Sequence, residues 1–134
     1  MLLTDTNVLQ RCSLGKAMRH VEALREKGVR LLTIDRNATE LYRIMPRITG
    51  QPIEVIGTEC ERVLAMFELV RAEDYEAFGR QAWARLDEGG KSDWPLLAAA
   101  LAVDGEIWSD DRDFFGVGVP VWATRNVNGV EPRA

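Results

Sequence analysis

The stretch Met1-Leu2-Leu3-Thr4-Asp5-Thr6-Asn7-Val8-Leu9 begins as a short apolar run and turns abruptly into a carboxylate flanked by hydrogen-bonding side chains. An apolar run this short, closed by polar residues, reads as a strand that stops at Asp5. Three later segments share its character: residues 30–34 (Arg-Leu-Leu-Thr-Ile), residues 106–109 with Ile107 and Trp108, and residues 119–124. Between them, apolar side chains recur at helical spacing over residues 16–26, 38–48, 58–69, 74–86 and Trp94–Val103. Strands that alternate with helices of this length predict parallel pairing through crossovers, and so an α/β fold.

Boundary signals support these helices. Gly28 follows the first of them, Gly105 follows the last, and Pro95 stands in the first turn behind Ser92-Asp93, where its missing N–H costs nothing. Glu88-Gly89-Gly90-Lys91 reads as a short loop. The sequence predicts one domain over residues 1–124 and a polar tail over 125–134 that frays. At 134 residues the chain is long enough to bury a core, and 46% hydrophobic with 28% charged residues is the balance of a packed globular protein.

No apolar run approaches the roughly 20 residues of a membrane helix, and Met1–Leu3 leads straight into an acid, so a cytoplasmic protein with no membrane association is expected. Cys12 and Cys60 fall in no zinc-binding spacing and are expected to be reduced and structural. The net charge of −4 argues against a module that holds nucleic acid by broad phosphate neutralisation. An acidic surplus has a second meaning, because carboxylates that ligate a cation have their charge cancelled by it.

Four positions deserve that second meaning. Asp5 stands at the carboxyl end of a strand, where open parallel sheets bind their ligands, although Asp5 or Asn7 could equally cap the next helix. Glu40 borders the apolar stripe of Leu41, Ile44, Met45 and Ile48, or else is a solvated glutamate favoured by the helix dipole. Asp93 opens an almost wholly apolar helix, as an N-cap or as a rigidly presented ligand. In Ile107-Trp108-Ser109-Asp110-Asp111-Arg112-Asp113-Phe114-Phe115, three acids crowd into four residues, which is unfavourable unless a cation or a base offsets the repulsion. Arg112 offsets part of it, and a solvated turn is the plainer alternative.

Taken together, Asp-Thr-Asn-Val-Leu after the first strand, a glutamate in the next helix, Asp93 before a late apolar helix and Trp-Ser-Asp-Asp-Arg-Asp-Phe after a late strand resemble the PIN-domain ribonucleases. The branch that includes the VapC-type toxins is the most similar, over residues 2–124. The resemblance implies a three-layer α/β/α sandwich around a central, mainly parallel sheet, and a Mg²⁺- or Mn²⁺-dependent endoribonuclease. It places the catalytic carboxylates at Asp5, Glu40, Asp93 and Asp111. Asp111 is preferred because the fourth acid of the family lies two residues after a Ser or Thr, here Ser109; Asp113 assists as a metal ligand beside Asp5, Asp93 and Asp111, and Asp110 or Asp113 in place of Asp111 stays open. Asn7 and Ser109 would orient the site, and Lys91 and Arg112 would hold the RNA backbone, with Arg11, Lys16 and Arg43 as further candidates. A small antitoxin partner and a homodimer are implied as well.

Two other readings compete with this one. Asp5 could be the nucleophile of an aspartyl-phosphate phosphatase or phosphotransferase, although the phosphatases place a second acid where Asn7 stands. A PIN-like fold could also serve as a non-catalytic interaction module, which would not need four acids. His20 has no neighbouring nucleophile and is read as structural. Trp83, Trp94, Trp108 and Trp122 are all expected in the core.

Overall fold

The computed structural model describes residues 1–132. Five strands, β1 (Leu2–Thr4), β2 (Leu31–Ile34), β3 (Glu68–Val70), β4 (Glu106–Trp108) and β5 (Val121–Trp122), form one sheet in the order β3-β2-β1-β4-β5. Every neighbouring pair is parallel. The helices are α1 (Thr6–Ser13), α2 (Met18–Lys27), α3 (Asp35–Thr49), α4 (Ile53–Leu64), α5 (Ala72–Tyr75), α6 (Gly79–Arg85) and α7 (Trp94–Val103).

Side chains alternate across the strands, and this alternation builds two cores. Leu2, Leu31 and Trp108 pack with Val8, Leu9, Leu24, Leu41, Met45 and Val63 from α1 to α4. Leu3, Leu32, Ile34 and Ile107 pack on the opposite face with Tyr75, Ala82 and the Leu96–Ala100 segment from α5 to α7. The fold is therefore a three-layer α/β/α sandwich, and the central strands β1 and β2, covered on both faces, are buried at every position and apolar apart from Thr4 and Thr33. Helix α7 lacks an amphipathic face because residues 95–100 are all buried.

The strand order has a functional consequence. From β1 the chain moves outward to β2 and β3, then returns to the other side of β1 to lay down β4 and β5. The order reverses between β1 and β4, and a crevice opens at such a reversal beyond the carboxyl ends of the two strands.

Several sequence expectations are corrected here. The helix expected over 58–69 runs earlier, from Ile53 to Leu64, and Glu68–Val70 is a strand instead. Cys60, Val63 and Phe67 keep helical spacing into this segment, so its identity comes from the free edge of β2, which pairs Leu32 with Glu68 and Ile34 with Val70. Arg30 clamps the pairing through two bonds to Glu68, at 2.7 and 2.9 Å. The helix expected over 74–86 breaks into α5, a 3-10 turn at Glu76–Phe78 and α6. Glu88–Lys91, expected as a loop, falls within a 3-10 helix, Glu88–Asp93.

Val127 and Val130, in the segment expected to fray, are buried in the first core, and Lys27 Nζ donates to the carbonyls of Asn128 and Val130 at 2.6 and 2.7 Å. The last two residues of that segment lie outside the described residues. Trp83 is 48% exposed rather than in the core. Among the described residues, no helix is long and apolar enough to cross a membrane.

Candidate active site

The crevice between β1 and β4 is where the acids meet. Asp5 follows β1 directly and its N–H donates to the Trp108 carbonyl at 3.2 Å, which extends the sheet pairing by one residue. Its backbone is extended (φ −83°, ψ 163°), and Oδ1 accepts the Asn7 N–H at 2.6 Å, so Asp5 does cap α1. The other oxygen is free for a second task. Oδ2 accepts the Ser109 hydroxyl at 2.5 Å, across 104 residues of sequence, and Ser109 is completely buried.

From Ser109 a chain of hydrogen bonds runs outward. Ser109 Oγ accepts the Asp111 N–H at 3.0 Å, and Asp111 Oδ1 accepts the Asp113 N–H at 2.9 Å, capping the 3-10 turn Arg112–Phe114. The buried Asp5 thus sets the position of Asp111, and Asp111 that of Asp113. Asp93 enters from the other wall, at the junction of the Glu88–Asp93 turn and α7. Its side chain makes no capping bond, so the N-cap role leaves it unexplained. One carboxylate oxygen each from Asp93, Asp111 and Asp113 lie within 4.8 Å of one another.

Gly90 makes this approach possible. A Cβ at that position would sit 2.8 Å from Asp113 Cβ and 2.9 Å from its Cγ, so only glycine lets the Glu88–Asp93 turn close against the aspartate.

The electrostatics are those of an uncompensated site. Burial raises the Asp5 carboxyl above its ordinary value, against the opposing effect of the Ser109 and Asn7 hydrogen bonds. Burial, followed by the charges of Asp111, Asp113 and Asp5, pushes Asp93 up to about 6. Among the described residues, none of these four acids has a basic partner in an ion pair.

A cavity of about 170 Å³ opens onto the acids and is lined by Asp5, Asn7, Arg36, Glu40, Asp93 and Asp111, among others. Glu40 lines the same cavity without joining the trio, and it accepts the Thr6 hydroxyl at 3.5 Å. Asp110 turns away: it accepts the Thr124 N–H and hydroxyl at 2.8 and 2.7 Å and pairs with Arg11 at 3.0 Å. Lys91 is committed elsewhere too, since Nζ donates to the Trp83 and Leu86 carbonyls at 2.9 Å each and so closes the C-terminal end of α6. Arg112 is exposed on the turn beside Asp111.

Arg36 and Asn37 line the cavity but were not anticipated. Asn37 is buried and donates to the Thr4 carbonyl at 3.4 Å, beside a 2.8 Å bond from Thr33 Oγ1 to the same oxygen. The signal was present in Asp35-Arg36-Asn37, which follows β2 as Asp5-Thr6-Asn7 follows β1.

A parallel sheet with carboxylates gathered at its reversal point, all hard oxygen donors, defines an α/β domain with an acidic site suited to divalent cations. The chain belongs to the PIN-domain family, whose model matches residues 3–130. PIN domains are generally nucleases and usually use divalent metals. No curated protein matches the chain.

Proposed function

We propose that this protein is a metal-dependent endoribonuclease that hydrolyses RNA phosphodiester bonds in the crevice between β1 and β4. The observation that carries the reading is the convergence of Asp93, Asp111 and Asp113 within 4.8 Å, none of them in an ion pair among the described residues. Such a donor set fits Mg²⁺ or Mn²⁺, which prefer carboxylate oxygens and commonly keep waters and a substrate phosphate as their remaining ligands. Asp93, Asp111 and Asp113 would hold the ion, with Asp5 as the deeper carboxylate of the set. When bound, the ion supplies a water of lowered pKa and stabilises charge on the departing oxygen.

The chain's own residues do the rest. Ser109 fixes Asp5 and Asp111 relative to each other, so the carboxylates need not reorganise when the charge they face changes. Asp93, raised to about 6, has lost its proton by neutral pH and so completes the anionic set there. Glu40, which lines the same cavity, would orient a nucleophilic water or accept its proton, beside Asn7 and Arg36 in the same lining. Arg112 on the rim meets the RNA backbone.

The aspartyl-phosphate alternative lacks such support: Asp5 is 8% exposed and both its oxygens accept hydrogen bonds. On the nuclease reading the protein acts in the cytoplasm, where its two buried, unpaired cysteines stay reduced. The toxin resemblance adds a homodimer held in check by a small antitoxin. The purified protein is expected to cleave RNA with Mn²⁺ or Mg²⁺, to stop with chelator, and to lose cleavage in Asp5→Asn. Cleavage that persists in chelator rejects the mechanism.

A further inference from the structure

A groove of about 540 Å³ runs beside the acidic cavity and shares Arg36 and Glu40 with it. Trp94, the residue next to Asp93, lines this groove, and the Arg36 guanidinium lies 5.8 Å from its ring centroid. Trp94 also lines a second cavity of about 420 Å³, whose other walls are Gly79, Arg80 and Trp83. The lining of that second cavity is almost wholly apolar. Trp83 is 48% exposed, an unusual place for so large an apolar surface, and Lys91 Nζ lies 5.3 Å from its ring centroid. Gly79 keeps the slot open beside Trp94: a Cβ there would come within 3.2 Å of the indole.

Two indoles bordering one slot, with arginines at its rim and at the adjoining groove, are the elements of a base-stacking platform. Indole faces hold any nucleobase by stacking, and arginine holds the phosphates between bases without reading sequence. A double helix keeps its bases stacked inside and has none to offer such a slot, whereas an unpaired strand does. The slot begins one residue from Asp93, so a strand whose phosphate reaches the acids has a neighbouring base within reach of Trp94 and Trp83.

We propose that the Trp83–Trp94 slot receives an unpaired base of the substrate strand, and that Arg36 and Arg80 follow the backbone on either side of it. The proposal rests on the nuclease reading for the identity of the strand. It makes Trp83, which lies outside the acidic cluster, a determinant of substrate choice in favour of unpaired RNA.

The test uses the full chain and a short unpaired RNA oligonucleotide, carrying a single abasic residue at each position in turn. Binding is followed by fluorescence anisotropy in chelator, and cleavage by kcat/KM in Mn²⁺. Trp83→Ala is expected to lower both by about tenfold, within the usual contribution of one stacked base, and Trp83→Phe to restore most of the loss. In the wild type, one abasic position should cause the same loss, and in Trp83→Ala that position should cause no further one. Unfolding by urea checks that Trp83→Ala, a surface change, keeps the fold. Wild-type RNA binding by Trp83→Ala, or an abasic penalty that persists undiminished in it, overturns the proposal and leaves the slot to a polypeptide side chain. Trp83-dependent binding without any cleavage in Mn²⁺ sinks the hydrolytic reading while the slot assignment stands.

Discussion

Replacing Asp93 with asparagine is expected to stabilise the metal-free protein at neutral pH while removing its response to divalent cations. Asp93 titrates at about 6 in the folded protein against an ordinary 3.8. Between those values the folded state holds a proton that the unfolded chain has released, so stability falls as pH rises through this window. By pH 7.5 the whole penalty is present, and below pH 3.8 it is gone. A gap of roughly two pH units is worth about 3 kcal/mol at 1.36 kcal/mol per unit. Solvent reaches this crevice, which reduces the figure to about 1–2 kcal/mol. Asparagine keeps the shape and carries no charge, so Asp93→Asn recovers that amount at pH 7.5 and nothing at low pH. Urea unfolding in chelator at pH 5 and 7.5 reads the effect, as an increase of about 0.5–1 M in the midpoint at the higher pH and roughly half of that at pH 5, for a typical slope. Added Mn²⁺ should then raise the wild-type midpoint in proportion to RT ln(1 + [Mn²⁺]/Kd) and leave Asp93→Asn nearly unmoved. A variant that is no more stable than the wild type at pH 7.5 in chelator, with the same pH dependence, refutes the electrostatic reasoning.

The doubled acid offers a direct comparison. Asp110→Asn, whose carboxylate faces Thr124 and Arg11, is expected to keep cleavage within about threefold of wild type, whereas Asp111→Asn, which can keep the cap on Asp113 but loses the charge, lowers it by a hundredfold or more if Asp111 is a ligand of the proposed ion; equal losses in both would remove the distinction. Gly90→Ala places a methyl group 2.8 Å from Asp113 Cβ and should weaken Mn²⁺ binding at least tenfold by calorimetry while the protein remains folded. Unchanged affinity there would show that Asp113 is dispensable to the site.

Local pattern was enough for much of the architecture. The apolar run before Asp5, the all-apolar segment Trp94–Val103 and the short strand ending at Trp108 are legible because a strand buried on both faces, or a helix buried on all sides, must be apolar whatever surrounds it. The same pattern places Asp5, Asp93 and the acids after Ser109 at strand ends and helix starts, which parallel topology brings to one edge of the sheet. What the pattern could not carry was anything decided by a distant partner. Phe67-Glu68-Leu69-Val70 continues a helical spacing and becomes a strand only because β2 leaves an edge to pair with. Lys91 flanks the acids in sequence, yet its ammonium is captured by carbonyls at the end of α6. Asp110, Asp111 and Asp113 are equivalent as letters. Thr124 and Arg11 draw the first away, Ser109 orients the second, and Gly90 admits the third, so the choice among them belongs to contacts between residues far apart in the chain. Which residues could be acids of a site was written in the sequence; which carboxylates converge in it was decided by the directions that the folded backbone imposes on their side chains.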